Sequence, residues 1–154
     1  MPSEAMFRVQ RLQPGDLALM QGMLTTFGAA FEDPDTYGKQ RPSPAYFDKL
    51  LGGDSFIALV ALRGEEVAGG LAAYELQKFE QERSEIYIYD LAVSASHRRI
   101  GIATALINAL RAIAKSRGAY VIYVQADLVD APAIALYTKL GAREDVLHFD
   151  IPVD

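Results

Sequence analysis

Cysteine is missing from all 154 residues. Its absence excludes disulfides, a thiol nucleophile and cysteine metal sites. Histidine is almost missing too. His97 and His148 stand alone, with no partner at ligand spacing, so no metal is expected. No apolar run approaches the ~20 residues that cross a bilayer, and no membrane association is expected. The N-terminus lacks a basic segment followed by an apolar core, so a cytoplasmic location is the expectation. Neither G-x-x-x-x-G-K-S/T, nor the three-glycine dinucleotide fingerprint, nor G-x-S-x-G occurs. Positive charge is also in deficit, with a net charge of −5. The excess lies beyond Ala119, where Asp127, Asp130, Glu144, Asp145, Asp150 and Asp154 face only Lys139 and Arg143. An acidic C-terminal third disfavours nucleic acid, whose binding rests on phosphate neutralisation. It suits either a cationic partner or a merely solvated surface.

What is present reads as one mixed α/β domain over residues 1–154. Met6–Leu12 is a short strand. Leu17, Met20, Met23, Leu24 and Phe27 recur at helical spacing after a Pro-Gly-Asp turn. A polar, proline-broken loop from Asp33 to Pro44 leads to a second helix that Gly52-Gly53 ends. Ser55–Leu62, Val67–Leu76 and Glu85–Val93 form a meander, the first of them too apolar to have a wet face. Gly101–Arg117 is a strongly amphipathic helix, with Gly118 at its C-terminal end. Tyr120–Ala126 follows as a strand parallel to its predecessor, because a helix connects them. A helix from Pro132 to Gly141 and a strand over Arg143–Ile151 close the chain. The order is βααβββαβαβ, a mostly antiparallel sheet with one parallel pair.

Three features carry possible chemistry. Arg98-Arg99-Ile100-Gly101-Ile102-Ala103 joins a strand to the amphipathic helix. Small residues there admit a pyrophosphate to the backbone, and the N–H groups with the helix dipole hold it. The plainer reading is a relaxed loop bearing solvated arginines. Period-two alternation puts Glu85, Tyr87 and Tyr89 on one strand face and Ile86, Ile88 and Asp90 on the other. An acid ending an apolar face would titrate high if buried unpaired, which suits a base or an ammonium anchor. It could equally cap a neighbouring turn. Tyr137 shares a helix side with Ala133 and Ile134, as a core tyrosine would.

Strand, R-x-x-G-x-A corner, long helix, strand and an A-x-x-L-Y-x-x-x-G helix together resemble the GNAT superfamily of acetyl-CoA-dependent N-acetyltransferases. Lys78–Gln81, Arg83–Val93, Gly118–Asp127 and His148–Ile151 look like the GNAT-type aminoglycoside 3-N-acetyltransferases, a likeness reaching from about Phe27 to Ile151. The resemblance implies transfer of acetyl to an aminoglycoside amine, and hence antibiotic resistance. It implies pantetheine pairing along Leu91, Ala92 and Val93, and pyrophosphate binding by Arg98, Arg99, Ile100, Gly101, Ile102, Ala103 and Thr104. Asp130 and Ala133 fall in the cofactor region, although many relatives carry asparagine where Asp130 stands. Tyr137 would protonate the CoA thiolate, and Asp90 would be the base, with Glu85 in reserve. Asp33, Asp35, Glu80, Glu82, Asp127 and Asp150 join Asp90 as candidates for holding a polycationic sugar. A homodimer is expected by analogy, with the apolar C-terminal strand pairing across a two-fold axis. The same fold could instead acetylate a polyamine or a protein amine, or bind acyl-CoA without catalysis.

Overall fold

The structure, a computed structural model, describes residues 7–154. Met6, placed at the start of the first expected strand, lies outside the described residues. One five-stranded sheet runs β1 (Arg8–Arg11), β2 (Phe56–Arg63), β3 (Glu66–Gln77), β4 (Ser84–Val93), β5 (Ala119–Val124), in that spatial order. The first four strands are antiparallel, and β5 pairs with β4 in parallel. The mixed α/β class, with its single parallel pair, is the one expected.

Helices α1 (Leu17–Ala30) and α2 (Pro44–Gly52) cover one face, and α3 (Ile102–Arg117) covers the other. Alternation in β2 explains why that strand reads as continuously apolar. Ile57, Leu59 and Ala61 point to the α3 side, while Ala58, Val60 and Leu62 point to the α1 side. With both faces covered, neither can carry a polar residue without a partner. Leu106 and Leu110 of α3 complete the first layer, and Met20, Met23 and Phe27 of α1 complete the second. Each fully buried side chain of this size contributes roughly 1.5–3 kcal/mol by leaving water.

Two segments differ from expectation. The loop after α1 contains one π-helical turn, Asp35–Lys39. Arg41 anchors it to α1, donating from Nη1 to Gln21 Oε1 at 2.7 Å, from Nη2 to Thr25 Oγ1 at 2.8 Å, and from Nε to the Tyr37 carbonyl at 2.9 Å. The expected strand over Arg143–Ile151 does not form. Beyond α4 (Ala131–Leu140) the chain has no hydrogen-bonded element among the described residues. A strand exists only through a neighbour that completes its backbone bonds, and a single copy supplies none here.

At the C-terminus of α3, Arg117 does more than complement the helix dipole. Its guanidinium donates to Glu75 Oε1 at 2.6 Å, and the Glu75 side chain is 7% exposed. Burial disfavours the charged form of Glu75, but Arg117 helps to hold its carboxyl below the ordinary value. Removing the cation alone would strand a buried carboxylate, an effect of about 3 kcal/mol. Arg117→Met should therefore lower unfolding free energy in urea by about that amount. The double variant Arg117→Met with Glu75→Leu should recover most of the loss.

Candidate active site

Strands β4 and β5 run together only from Ser84↔Ala119 to Ile88↔Val124. Beyond Ile88 they part, and the β4 edge from Tyr89 to Val93 has no strand neighbour on the β5 side. On its other edge β4 stays paired with β3. Unpaired main-chain N–H and C=O groups along that parting edge can receive an extended, amide-bearing ligand as an added strand. Leu91, Ala92 and Val93 all lie on this edge.

The parting coincides with a β-bulge. Ala72 pairs with Asp90 and Ala73 with Ile88, which leaves Tyr89 as the extra residue. This corrects the simple alternation. One inserted residue turns Asp90 away from the face of Ile86 and Ile88 and onto the α1 face, where Ala72 and Ala92 pack. There Asp90 lines a cleft with Met20, Tyr37, Tyr46, Tyr74 and Tyr89, and it is the one charged side chain among the described residues that line it. Burial pushes the Asp90 carboxyl above its ordinary value, and a hydrogen bond from Tyr37 partly offsets the rise. The Tyr37 hydroxyl donates to Asp90 Oδ2 at 3.0 Å. Burial, then the neighbouring Asp90 charge, raise the Tyr37 phenol as well, so it remains a donor.

Sequence reasoning missed Tyr37. Its ring sits 5.9 Å from Phe27 and 5.6 Å from Phe31, held by the π turn that Arg41 clamps. A lone aromatic inside an otherwise polar, proline-broken loop was the available signal. Also missed was an aromatic floor beside the cleft. Tyr87 stacks on Tyr123 at 4.8 Å and 14°, Tyr89 meets both Tyr74 and Tyr87 at 5.9 Å, and the Tyr87 hydroxyl donates to Gln125.

On the α3 side, the corner has the geometry an anion needs. Arg99 and Gly101 are both left-handed, with φ of 66° and 87°. The first costs a non-glycine residue strain, and the pair turns successive N–H groups inward. Gly101 caps α3 without a side-chain cap, leaving the N–H groups of Ile102, Ala103 and Thr104 free of helix partners. Close packing sets this helix end beside β4. A Cβ on Gly69 would lie 2.9 Å from Ile102 Cγ2 and 3.1 Å from the Ala92 carbonyl, so only glycine lets α3 come so near. Arg98 is exposed and donates from Nε to the Val93 carbonyl, closing the end of β4. Beneath the loop, buried His97 meets Ser94 Oγ at 2.6 Å and Ser96 Oγ at 3.0 Å through Nδ1, which fixes the corner's entry.

Tyr137 projects from α4 against the α3-side core. Burial, then the Asp130 charge, push its phenol up to about 12, which keeps it protonated at neutral pH. Asp130 itself caps α4, accepting from the Ala133 N–H at 3.2 Å, so its carboxylate is engaged by the helix. Glu85 lies at the far end of β4, roughly 15 Å along the strand from Asp90. It accepts from Lys78 and from the Tyr120 hydroxyl. The two carboxylates do not share a site. Among the acids expected to hold a cation, Asp33 adjoins Tyr37 in the π-turn loop and Asp35 opens that turn. Glu80 pairs with Lys78 at 3.4 Å, while Glu82 and Asp127 are exposed. Asp150 lies on the C-terminal segment and is exposed apart from a contact with His148.

Because the native pKa of Asp90 is raised, its charge opposes folding at neutral pH, and this penalty fades as pH falls through that raised value. Asp90→Asn keeps an acceptor for Tyr37 and removes the charge. Its melting temperature should exceed that of the unsubstituted protein at pH 7.5, with the difference shrinking toward pH 4.

Known proteins bear on this arrangement. One solved structure, an aminoglycoside acetyltransferase from an uncultured soil metagenomic sample, shares 62% identity and superposes with a TM-score of 0.94, covering 96% of this chain and 99% of that one. A second aminoglycoside acetyltransferase from such a sample, in complex with sisomicin, shares 31% identity with a TM-score of 0.89, over 98% and 99% of the chains. Among curated proteins, rat N-acetyltransferase 8B is 29% identical over 90 residues, which make up 58% of this chain and 40% of that protein. This chain thus spans less than half the length of that relative. No helix among the described residues is long and apolar enough to cross a membrane, and no group of potential metal ligands occurs among them. The model of the acetyltransferase (GNAT) family, whose members use acetyl-CoA, matches residues 23–142, and this chain belongs to that family.

Proposed function

We propose that this chain transfers the acetyl group of acetyl-CoA directly to an amine of an aminoglycoside, at the 3-N position, and so confers resistance. The observation that carries this reading is Asp90. It is a half-buried carboxylate, the one charge in an aromatic cleft, placed where β4 leaves β5. Such a group attracts an ammonium and then accepts its proton. The likeness to aminoglycoside acetyltransferases across nearly the whole chain supports a polyamino sugar over a polyamine or a peptide. The flat Tyr87–Tyr123 stack beside the cleft supports it as well, since sugar rings pack on aromatic faces.

The residues take the following roles. The parting edge at Leu91–Val93 pairs with the pantetheine amides, and the corner from Arg98 to Thr104 holds the pyrophosphate. Asp90 takes a proton from the substrate ammonium, directly or through one water. The freed nitrogen forms a bond to the thioester carbonyl carbon. A main-chain N–H of the unpaired edge, with Leu91 the candidate, meets the oxyanion as it develops. The nitrogen of the tetrahedral adduct releases its second proton to solvent, and as the C–S bond breaks Tyr137 donates its proton to sulfur and is reprotonated from solvent. Asp33 and Asp35 attract the remaining ammonium groups toward the cleft. The assembly proposed is a homodimer.

A thiol-release assay with sisomicin, spermidine and a lysine peptide tests the substrate class. Turnover with the aminoglycoside alone is expected, and release with the peptide alone would overturn the reading. Tyr137→Phe should lower kcat about a hundredfold while leaving the KM for acetyl-CoA unchanged. Tyr37→Phe addresses the pairing at Asp90. The Tyr37 hydrogen bond holds the Asp90 pKa down, so its loss should move the acid limb of the kcat/KM profile to higher pH. An unmoved limb would remove Asp90 from the role of base.

A further inference from the structure

One guanidinium joins the loop between α1 and α2 to the helix before it. Gln21 and Thr25 stand one turn apart on the same side of α1. Thr25 commits its hydroxyl proton to the Gln21 carbonyl at 3.0 Å, so toward Arg41 it can only accept. Arg41 reaches both of these side chains and the Tyr37 carbonyl, using three separate nitrogens at 2.7 to 2.9 Å. Bonds in three directions from one group suit a planar fork, and a lysine ammonium cannot span them.

Tyr37 also borders a cavity of about 380 Å³ that Asp90 does not line; Leu24, Gly28, Ala29, Pro34 and Arg41 are among its other walls. Leu24 and Tyr37 line the Asp90 cleft as well, so the tyrosine is a wall shared by the two spaces. An apolar cavity of roughly 150 Å³ is enough for a benzene molecule. The phenol ring therefore has room to swing off Asp90. Gly28 brings the stem of Tyr37 against α1, since a Cβ there would lie 3.3 Å from Tyr37 Cβ. That contact sets where the side chain begins and not where it points. Its direction falls to the backbone of the π turn, which Arg41 fixes.

We propose that Arg41 is a positioning residue of the candidate site: its clamp on the π turn keeps the Tyr37 hydroxyl on Asp90 and the ring out of the neighbouring cavity. Arg41 acts through those bonds and not through its charge. It does not line the cleft, where the titratable groups around Asp90 are Tyr37 from the turn, Tyr46 from α2, Tyr74 from β3 and Tyr89 from the bulge. Asp33, in the same loop, acts on the Tyr37 phenol. Among the described residues only Tyr37 donates a side-chain hydrogen bond to the Asp90 carboxyl. That bond lowers a proton affinity that burial raises, so a turn set loose leaves Asp90 with the higher one.

Titration of the Asp90 carboxyl by heteronuclear NMR, with no substrate present, tests the clamp directly. Arg41→Lys keeps the charge and loses the fork. It should raise the midpoint by about half to one pH unit, the worth of one hydrogen bond, as Tyr37→Phe does. Gln21→Leu with Thr25→Val leaves the arginine in place, removes its acceptors on α1, and should give the same rise. Adding Tyr37→Phe to Arg41→Lys should add nothing further, because both act on one bond. Ala29→Leu fills the cavity, and in the Arg41→Lys chain it should return the midpoint toward that of the unsubstituted protein. A midpoint unmoved by Arg41→Lys, a rise that Ala29→Leu does not reverse, or shifts that add in the double variant would overturn the proposal. A matching move of the acid limb of kcat/KM in Arg41→Lys rests on the acetyl-transfer reading, in which Asp90 is the base. A limb that stays while the carboxyl midpoint moves overturns that role for Asp90 and leaves the clamp standing, so the two fail separately.

Discussion

The parting of β4 from β5 after Ile88 is the constraint on which the rest of the molecule depends. Backbone N–H and C=O groups need partners wherever water is scarce. A sheet that simply stopped pairing in its middle would leave them without any. Here the Tyr89 bulge sharpens the bend of β4 at that point, and the N-terminus of α3 lies beside the opened edge because Gly69 lets Ile102 approach. One irregularity thereby opens a strand edge, lies beside the uncapped N-terminus of α3, and turns the Asp90 side chain onto the opposite face.

The same bulge sets the electrostatics. Asp90 stands in the cleft only because one extra residue turned it over, and burial there raises its proton affinity. A carboxylate with an ordinary pKa is a weak base toward an ammonium, and a deeply buried unpaired one would stay protonated. Tyr37 holds the middle position by donating one hydrogen bond, and Arg41 with the Phe27 and Phe31 rings holds Tyr37. The loop between α1 and α2 therefore sets the proton affinity of Asp90, and on the proposed mechanism it belongs to the acid–base apparatus. Its polar sequence, read alone, suggests only a connection. Burial and Asp130 keep Tyr137 protonated, so the donor and acceptor of the proposed mechanism are separated by environment.

Much of this was legible in the sequence, and the part that was not has a physical reason. The periodicities of Ser55–Leu62 and Gly101–Arg117 located β2 and α3 within a residue or two, since packing on both faces leaves little freedom in the choice of side chains. The turn into α3 was legible because glycine at position 101 answers a left-handed backbone requirement. The face of Asp90 was misread, because alternation assumes an unbroken pleat and a bulge leaves no residue signature in Tyr-Asp-Leu. Tyr37 and the Tyr87–Tyr123 stack went unseen because they are contacts between segments distant in the chain. Glu85 held its place as an acid near the strand start, but Lys78 and Tyr120 already engage it.

The C-terminal strand was also read from the residues and is not formed, and here the pattern and the single copy conflict in an informative way. Alternation in Leu147–Ile151 sets an apolar side against a polar one, yet the segment is exposed on both sides. The uncharged β5 edge, which has no strand neighbour on its outer side among the described residues, leaves a comparable apolar layer half covered. Five apolar residues kept exposed would lower solubility without any return. The short, arginine-bearing β1 edge is protected against further strand pairing, and the uncharged β5 edge is not.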